Sequence, residues 1–243
     1  MSFIIAAIKI MFLLAFLILI HELGHFLVAK KCKVKVKEFS IGFGKLIWSK
    51  QGKETKYSLR LIPLGGFCNM LGEEEELEEE GSFSGSPVWK RFLIVIAGAA
   101  VNIIFGLLVF FILASIVNRS LVDGLIVTGR YIALLFQSLV SLFTGAVSSA
   151  EVVGPVGISG LVAQTGSLFE FVYLLAVISI SLGITNLLPI PGLDGGKLLI
   201  LIIEAIRGKK MNQNTEALVT SIGLLFLFGI AIIITTRDIG NLF

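Results

Sequence analysis

Between Arg91 and Arg119 the chain runs for 27 residues without one charged side chain. At 1.5 Å of rise per residue such a run makes a helix of about 40 Å, longer than the roughly 30 Å hydrocarbon core of a bilayer. A soluble domain would have to cover that surface with polar groups, and the composition supplies few. Of the 243 residues, 56% are hydrophobic and 15% charged, and the mean hydropathy is +0.95. The chain is therefore expected to be an integral membrane protein. Its net charge of +3 says less than where the lysines and arginines fall.

Those positions predict an all-α polytopic membrane protein, one domain over 1–243, with four transmembrane helices. The first covers about 3–29 and ends at Lys30-Lys31, followed by Lys33, Lys35 and Lys37, a cluster that marks the cytoplasmic face. The second covers about 91–117, with Trp89, Lys90 and Arg91 as its inner anchor. The third, about 171–190, runs into a broken stretch at about 186–196, and the fourth covers about 216–236. Both termini then lie on the outer side. Lys9 before an apolar run imitates a secretory leader, but the run continues through His21 and Glu22 with no small-residue cleavage site, so it is read as retained.

Two stretches between spans have their own character. Residues 30–90 are polar and strand-like: Val34, Val36 and Phe39 stand out among lysines, Gln51-Gly52-Lys53 reads as a turn, and Tyr57 to Ile62 resumes β-type residues. Gly42-Phe43-Gly44 and Pro63-Leu64-Gly65-Gly66-Phe67 predict kinks in a small sheet lying against the membrane. The block Glu73 to Glu80 reads as a solvated loop. Residues 118–170 carry few charges, which fits the outer side. Within them Tyr131 to Val147 bears a polar stripe of Gln137, Ser141 and Thr144, continued by Ser148, and is expected to be an interfacial amphipathic helix rather than a fifth crossing. A crossing there would carry Lys197 to Lys210 outside and set Asp194 on the wrong side relative to His21.

The chemistry sits inside the first span, at His21-Glu22-Leu23-Gly24-His25. A helix turns about 100° per residue, so the two histidines lie about 40° apart on one face, where two imidazoles can share one metal ion. Glu22 points to the adjoining flank and could take a proton from a metal-bound water without being a ligand. These are the chain's only two histidines. Ionisable groups at bilayer depth cost about 2.5–3.5 kcal/mol each on insertion scales, which argues that they are there for a use. Cys32 and Cys68 have no zinc-ligand spacing and read as reduced, idle thiols.

A third ligand is offered later. Asn186-Leu187-Leu188-Pro189-Ile190-Pro191-Gly192-Leu193-Asp194-Gly195-Gly196 cannot continue a regular helix, yet Leu198 to Ile206 is again apolar. Irregular backbone at membrane depth is tolerated only where protein covers it or water lines it, which makes Asp194 a candidate site residue. Its alternative is a simple Asp-Gly turn. Two histidines and a carboxylate are a standard catalytic zinc set with a fourth position open to water. Asn102, in the second span, reads as interhelical glue, with a place near the site as the lesser alternative.

Taken together, HELGH at 21–25, Asn-x-x-Pro-x-Pro-x-x-Asp-Gly-Gly at 186–196, Pro-Leu-Gly-Gly-Phe at 63–67 and Gly-Pro-Val-Gly at 154–157 resemble the site-2 protease family of intramembrane zinc metalloproteases, in its RseP-like branch. The resemblance covers nearly the whole chain. It implies that His21, His25 and Asp194 bind Zn2+ and that Glu22 is the catalytic base. It also implies that Asn186 helps hold the substrate backbone, and that a membrane-associated β-hairpin within about Val34 to Met70, Gly65, Gly66 and Phe67 included, clamps an unwound substrate as an added strand. The expected function is hydrolysis, by a zinc-activated water, of transmembrane segments of single-pass proteins such as anti-sigma factors, or of remnant signal peptides. It would take place in a bacterial cytoplasmic membrane, near its inner side, with no nucleic-acid partner. Two departures stand out. Relatives usually carry PDZ domains between the second and third spans, for which there is no room here, so no PDZ-mediated partner is expected. Gly98-Ala99-Ala100 stands where relatives often have Gly-Pro. The competing readings are a non-catalytic zinc-bound scaffold and a metal transporter, and the latter lacks ionisable residues along a path through the other spans.

Overall fold

The computed structural model describes residues 2–73, 75, 77, 79–144 and 154–240. Its elements run α1 (Ser2–Lys31), β1 (Val36–Gln51), β2 (Lys56–Met70), α2 (Val88–Asn118), α3 (Leu121–Thr144), α4 (Pro155–Gln164), α5 (Leu168–Asn186), α6 (Asp194–Arg207) and α7 (Gln213–Gly240). The protein is thus mostly helical with one small antiparallel sheet. Five of its helices, α1, α2, α3, α5 and α7, are long and apolar enough to cross a membrane.

The helix that differs most from expectation is α3. It starts at Leu121, ten residues before Tyr131, and its first 21 residues meet the length and composition of a span. The reason is local. Arg119 takes a left-handed φ of 52°, which turns the chain sharply after α2, and the Ser120 hydroxyl accepts a bond from the Asp123 N–H at 3.2 Å, an N-cap that starts a new helix at once. The last three residues of the amphipathic segment, 145–147, and Ser148 lie outside the described residues, as do Glu74, Glu76 and Glu78 of the acidic block.

Two compact units can be distinguished. The first comprises Met11–Ile103 and Ser181–Leu227. Its core gathers Val34, Val36, Phe39, Cys68 and Met70 with Ala29 of α1, Ile94 and Val95 of α2, and Leu198 and Leu201 of α6. The strand period explains the choice: Val34 and Val36 are buried while Lys33, Lys35 and Lys37 between them are exposed. Gly42, Gly44 and Gly65 have φ values of +86°, +79° and +143°, which only glycine adopts at no steric cost. They bend both strands, so that Phe39 stands between Cys68 and Tyr57 and Ser40 between Phe67 and Ser58. Arg91 of α2 and Glu204 of α6 form an ion pair at 2.8 Å, with their side chains only 8% and 4% exposed.

The second unit comprises Met1–Ile10, Ile104–Ile180 and Phe228–Phe243. Phe110 of α2 stacks on Tyr131 of α3, with ring centroids 4.3 Å apart. The Gly-Pro-Val-Gly motif opens α4 with Pro155 at its first turn, where the Gly157 N–H donates to Asp238 Oδ2 at 2.9 Å. A carboxylate there satisfies an otherwise unpaired N–H and suits the positive end of the helix.

Candidate metal centre

In the first unit α1 carries His21, Glu22 and His25, and its close approach to α2 is made by glycine on both sides. A Cβ on Gly24 would lie 2.5 Å from the Ala97 carbonyl oxygen, and one on Gly98 would lie 2.8 Å from His21 Nε2 and nearer still to His25 Nε2. The space over Gly98 is therefore filled by the two imidazoles, both buried.

Asp194 arrives from the far end of the chain as the first residue of α6. The stretch that breaks the preceding helix folds under the start of α6. Gly192 takes φ +96°, and Cβ atoms on Gly195 or Gly196 would collide with backbone of Leu187 to Pro191. Those glycines let the loop and the helix start share one place, which puts the Asp194 carboxylate against α1. Its Oδ2 is 3.1 Å from His21 Nε2 and 3.4 Å from His25 Nε2, and the two Nε2 atoms are 3.1 Å apart.

These three distances test whether a metal would fit. Around tetrahedral zinc with bonds of about 2.0–2.1 Å, ligand atoms stand about 3.3 Å from one another. Two imidazole nitrogens and a carboxylate oxygen sit at that spacing, and among the described residues they are the one group of three or more such side chains close enough to hold an ion. His25 Nδ1 donates to the Ile94 carbonyl oxygen at 2.8 Å. That bond places the ring proton on Nδ1 and leaves the Nε2 lone pair aimed at Asp194.

The three residues open on a cavity of about 520 Å3, lined also by Glu22, by Phe67, Cys68, Asn69 and Met70 of β2, and by Glu73 and Lys197. The last two form a salt bridge at 3.0 Å across its wall. Sequence reasoning did not single out Lys197, although its place one turn after Asp194 on α6 was a usable signal. Burial, with the Glu22 carboxylate next in weight, pushes the Cys68 thiol well above its ordinary range. It stays protonated, which fits its absence from the ligand set.

Of the other residues singled out from the sequence, Phe67 lines the cavity. Gly66 packs beside Glu22: a Cβ there would be 3.4 Å from Glu22 Cγ and 2.8 Å from the Ser40 carbonyl oxygen. Gly65 lies under the Phe43 ring. Asn186, the last residue of α5, is not among the residues that line the cavity. On the sheet, Gly66 to Met70 pairs with Val36 to Ile41 alone, so one edge of that segment has no strand partner among the described residues.

Residues 9–230 match the family model described as Peptidase family M50. Among curated proteins the chain is similar to a predicted zinc metalloprotease of Fusobacterium nucleatum, 27% identical with all of both chains covered. It is also similar to the regulator of sigma-W protease RasP of Bacillus subtilis, 25% identical over 93% of this chain and 96% of that one. A third relative is the zinc metalloprotease RasP of Bacillus licheniformis, 25% identical over 96% of this chain and 99% of that one. The Fusobacterium alignment runs over 343 positions against 243 residues here, so about 100 positions of that relative have no counterpart in this chain.

Proposed function

The chain belongs to peptidase family M50, the site-2 zinc metalloproteases, and from that premise we propose that it hydrolyses peptide bonds within or near transmembrane segments of single-pass membrane proteins. His21, His25 and Asp194 hold the zinc, and Glu22 is the catalytic base. The observation that carries this reading is the near-equilateral triangle of two Nε2 atoms and Oδ2, with sides of 3.1, 3.1 and 3.4 Å. A zinc ion held by these three residues would supply Lewis acidity, lowering the pKa of a water toward neutrality and making a peptide carbonyl more electrophilic.

The chain's own groups do the rest. Glu22 lines the same cavity as the three ligands without joining their triangle, so its carboxylate is available to take the proton of the attacking water and return it to the leaving amine. A transmembrane helix hides its peptide bonds, and cleaving it requires a locally extended stretch whose lost hydrogen bonds are made good elsewhere. The unpaired edge of Gly66 to Met70, beside the cavity, suits that task by strand addition. Gly65, Gly66 and Phe67 are assigned to that clamp, and Asn186 to holding the substrate backbone by resemblance alone.

The protein is read as a multi-pass protein of a bacterial cytoplasmic membrane with four crossings, both termini outside and the site toward the inner face, a topology supported by the lysine cluster after α1. The regulator of sigma-W protease among the relatives puts membrane-bound anti-sigma factors first among substrate candidates, with remnant signal peptides second. The roughly hundred unmatched positions of the Fusobacterium relative agree with the absence of an inserted PDZ domain. A purified Glu22→Gln protein should retain one zinc per chain and lose cleavage of a reporter transmembrane segment by at least about 100-fold. Cleavage at the wild-type rate would end this assignment of the base.

A further inference from the structure

Ile94, Gly98 and Asn102 recur every four residues along α2, and so share one face of it. His25 and His21 recur at the same spacing on α1, and the two rows meet in reverse order. Ile94 faces His25, Gly98 lies under both rings, and the Asn102 amide, with Nδ2 the nearer atom, faces His21 Nδ1 at 3.5 Å. Asn102 is fully buried.

The chemistry at the two ends of this row differs. A backbone carbonyl can only accept, so the Ile94 oxygen holds the His25 proton on Nδ1 and frees Nε2 for a metal. His21 must adopt the same tautomer to offer its own Nε2 to the triangle. The group set against its Nδ1 is an amide, which presents either an acceptor or a donor depending on which way it is turned. A donor there would favour the tautomer with the proton on Nε2, which cannot ligate.

We infer that Asn102 is a positioning residue of the metal centre. With the amide turned over, so that Oδ1 takes the place Nδ2 holds at 3.5 Å from His21 Nδ1, its side-chain carbonyl oxygen accepts the Nδ1–H of His21 and does for that ligand what the Ile94 carbonyl does for His25. One face of α2 therefore sets ring orientation and tautomer for both histidines, and Gly98 between the two makes room for the rings. Asn102 touches neither substrate nor reacting atoms and acts through His21. Outer partners of this kind typically change metal affinity by about 10–100-fold when removed. A residue serving only as glue between helices would move stability and leave metal affinity alone.

The inference rests on the zinc role proposed above for His21, His25 and Asp194, and one experiment separates the two. Zinc affinity is measured by competition with a chromophoric chelator on the full chain purified in detergent, for wild type, Asn102→Leu, Asn102→Ala and Asn102→Asp. The cobalt-substituted proteins supply a ligand-field spectrum that reports the donor geometry. Asn102→Leu and Asn102→Ala should bind zinc about 10–100-fold more weakly than wild type, with an altered cobalt spectrum. Asn102→Asp, which keeps an acceptor oxygen toward Nδ1–H, should stay within about threefold of wild type. Alanine suits a helix beside Ala99 and Ala100, so it serves if the leucine variant does not fold. The inference is overturned if the alanine variant binds zinc as wild type does, or if the aspartate variant loses as much as alanine. A wild type that binds no zinc would instead overturn the reading of the site itself.

Discussion

At Gly98 the needs of the helix and of the site are opposed. Alanine in a helix interior is favoured over glycine by about 1 kcal/mol, yet a Cβ here would fall on His25 Nε2 and within 2.8 Å of His21 Nε2. Gly98→Ala is thus expected to cut bound zinc at least about tenfold, by crowding the ligand nitrogens, and to lower the melting temperature of the purified protein, because overpacking at about 1–3 kcal/mol outweighs the propensity gain. Metal analysis beside a thermal melt checks both halves, and a variant with full zinc would show that the rings can move aside. His21, Glu22 and His25 were legible from the chain because their relation is local: four residues along a helix bring two rings to one face whatever the rest does. Asn102 was not legible in the same way. Its polarity inside an apolar run was visible, but which group it meets depends on how closely α1 and α2 approach, and that is set by Gly24 and Gly98 together.

Among elements, α6 has the most exacting task, since it must hold Asp194 against a helix from the other end of the chain. Its far end is tied to α2 by the Arg91–Glu204 pair at 2.8 Å, and Glu204 Oε1 also accepts the Met211 N–H at 2.8 Å. Removing one partner of a buried pair leaves the other charge uncompensated, at about 3–5 kcal/mol. Arg91→Leu is therefore expected to lower the unfolding midpoint in detergent sharply, and Arg91→Leu with Glu204→Leu to recover most of that loss. Equal destabilisation in single and double variants would mean that the pair contributes through packing alone. The hairpin was legible from alternation, lysine out and valine in, and its kinks from the glycines. The helical nature of residues 194–207 was signalled only as an apolar run after a break. The early start of α3 rested on an N-cap, Ser120, that the polar stripe further along had overshadowed.

At the scale of the whole molecule, α3 is long and apolar enough to be a fifth crossing, and the four-span topology makes a prediction that tells the two apart. In the four-crossing topology the start of α3 and the start of α5 lie on the same, outer face. Val122→Cys and Gly166→Cys, each in a protein with Cys32 and Cys68 replaced by alanine, should both react with a membrane-impermeant maleimide on intact cells. Labelling of only one of the two would make α3 a crossing and retire the four-span topology. The amino-acid order by itself determined that the chain enters a membrane, where four of its apolar helices fall, and that a His-Glu-x-x-His row lies on one of them. All of these follow from composition and from periods of a few residues, which operate before any distant contact is made. Only the tertiary structure brought Asp194 Oδ2 to 3.1 and 3.4 Å from the two imidazoles and set Ile94, Gly98 and Asn102 of α2 against those rings. Those relations join residues far apart in the chain, and their distances are set by helix packing at glycine contacts, which no local pattern encodes.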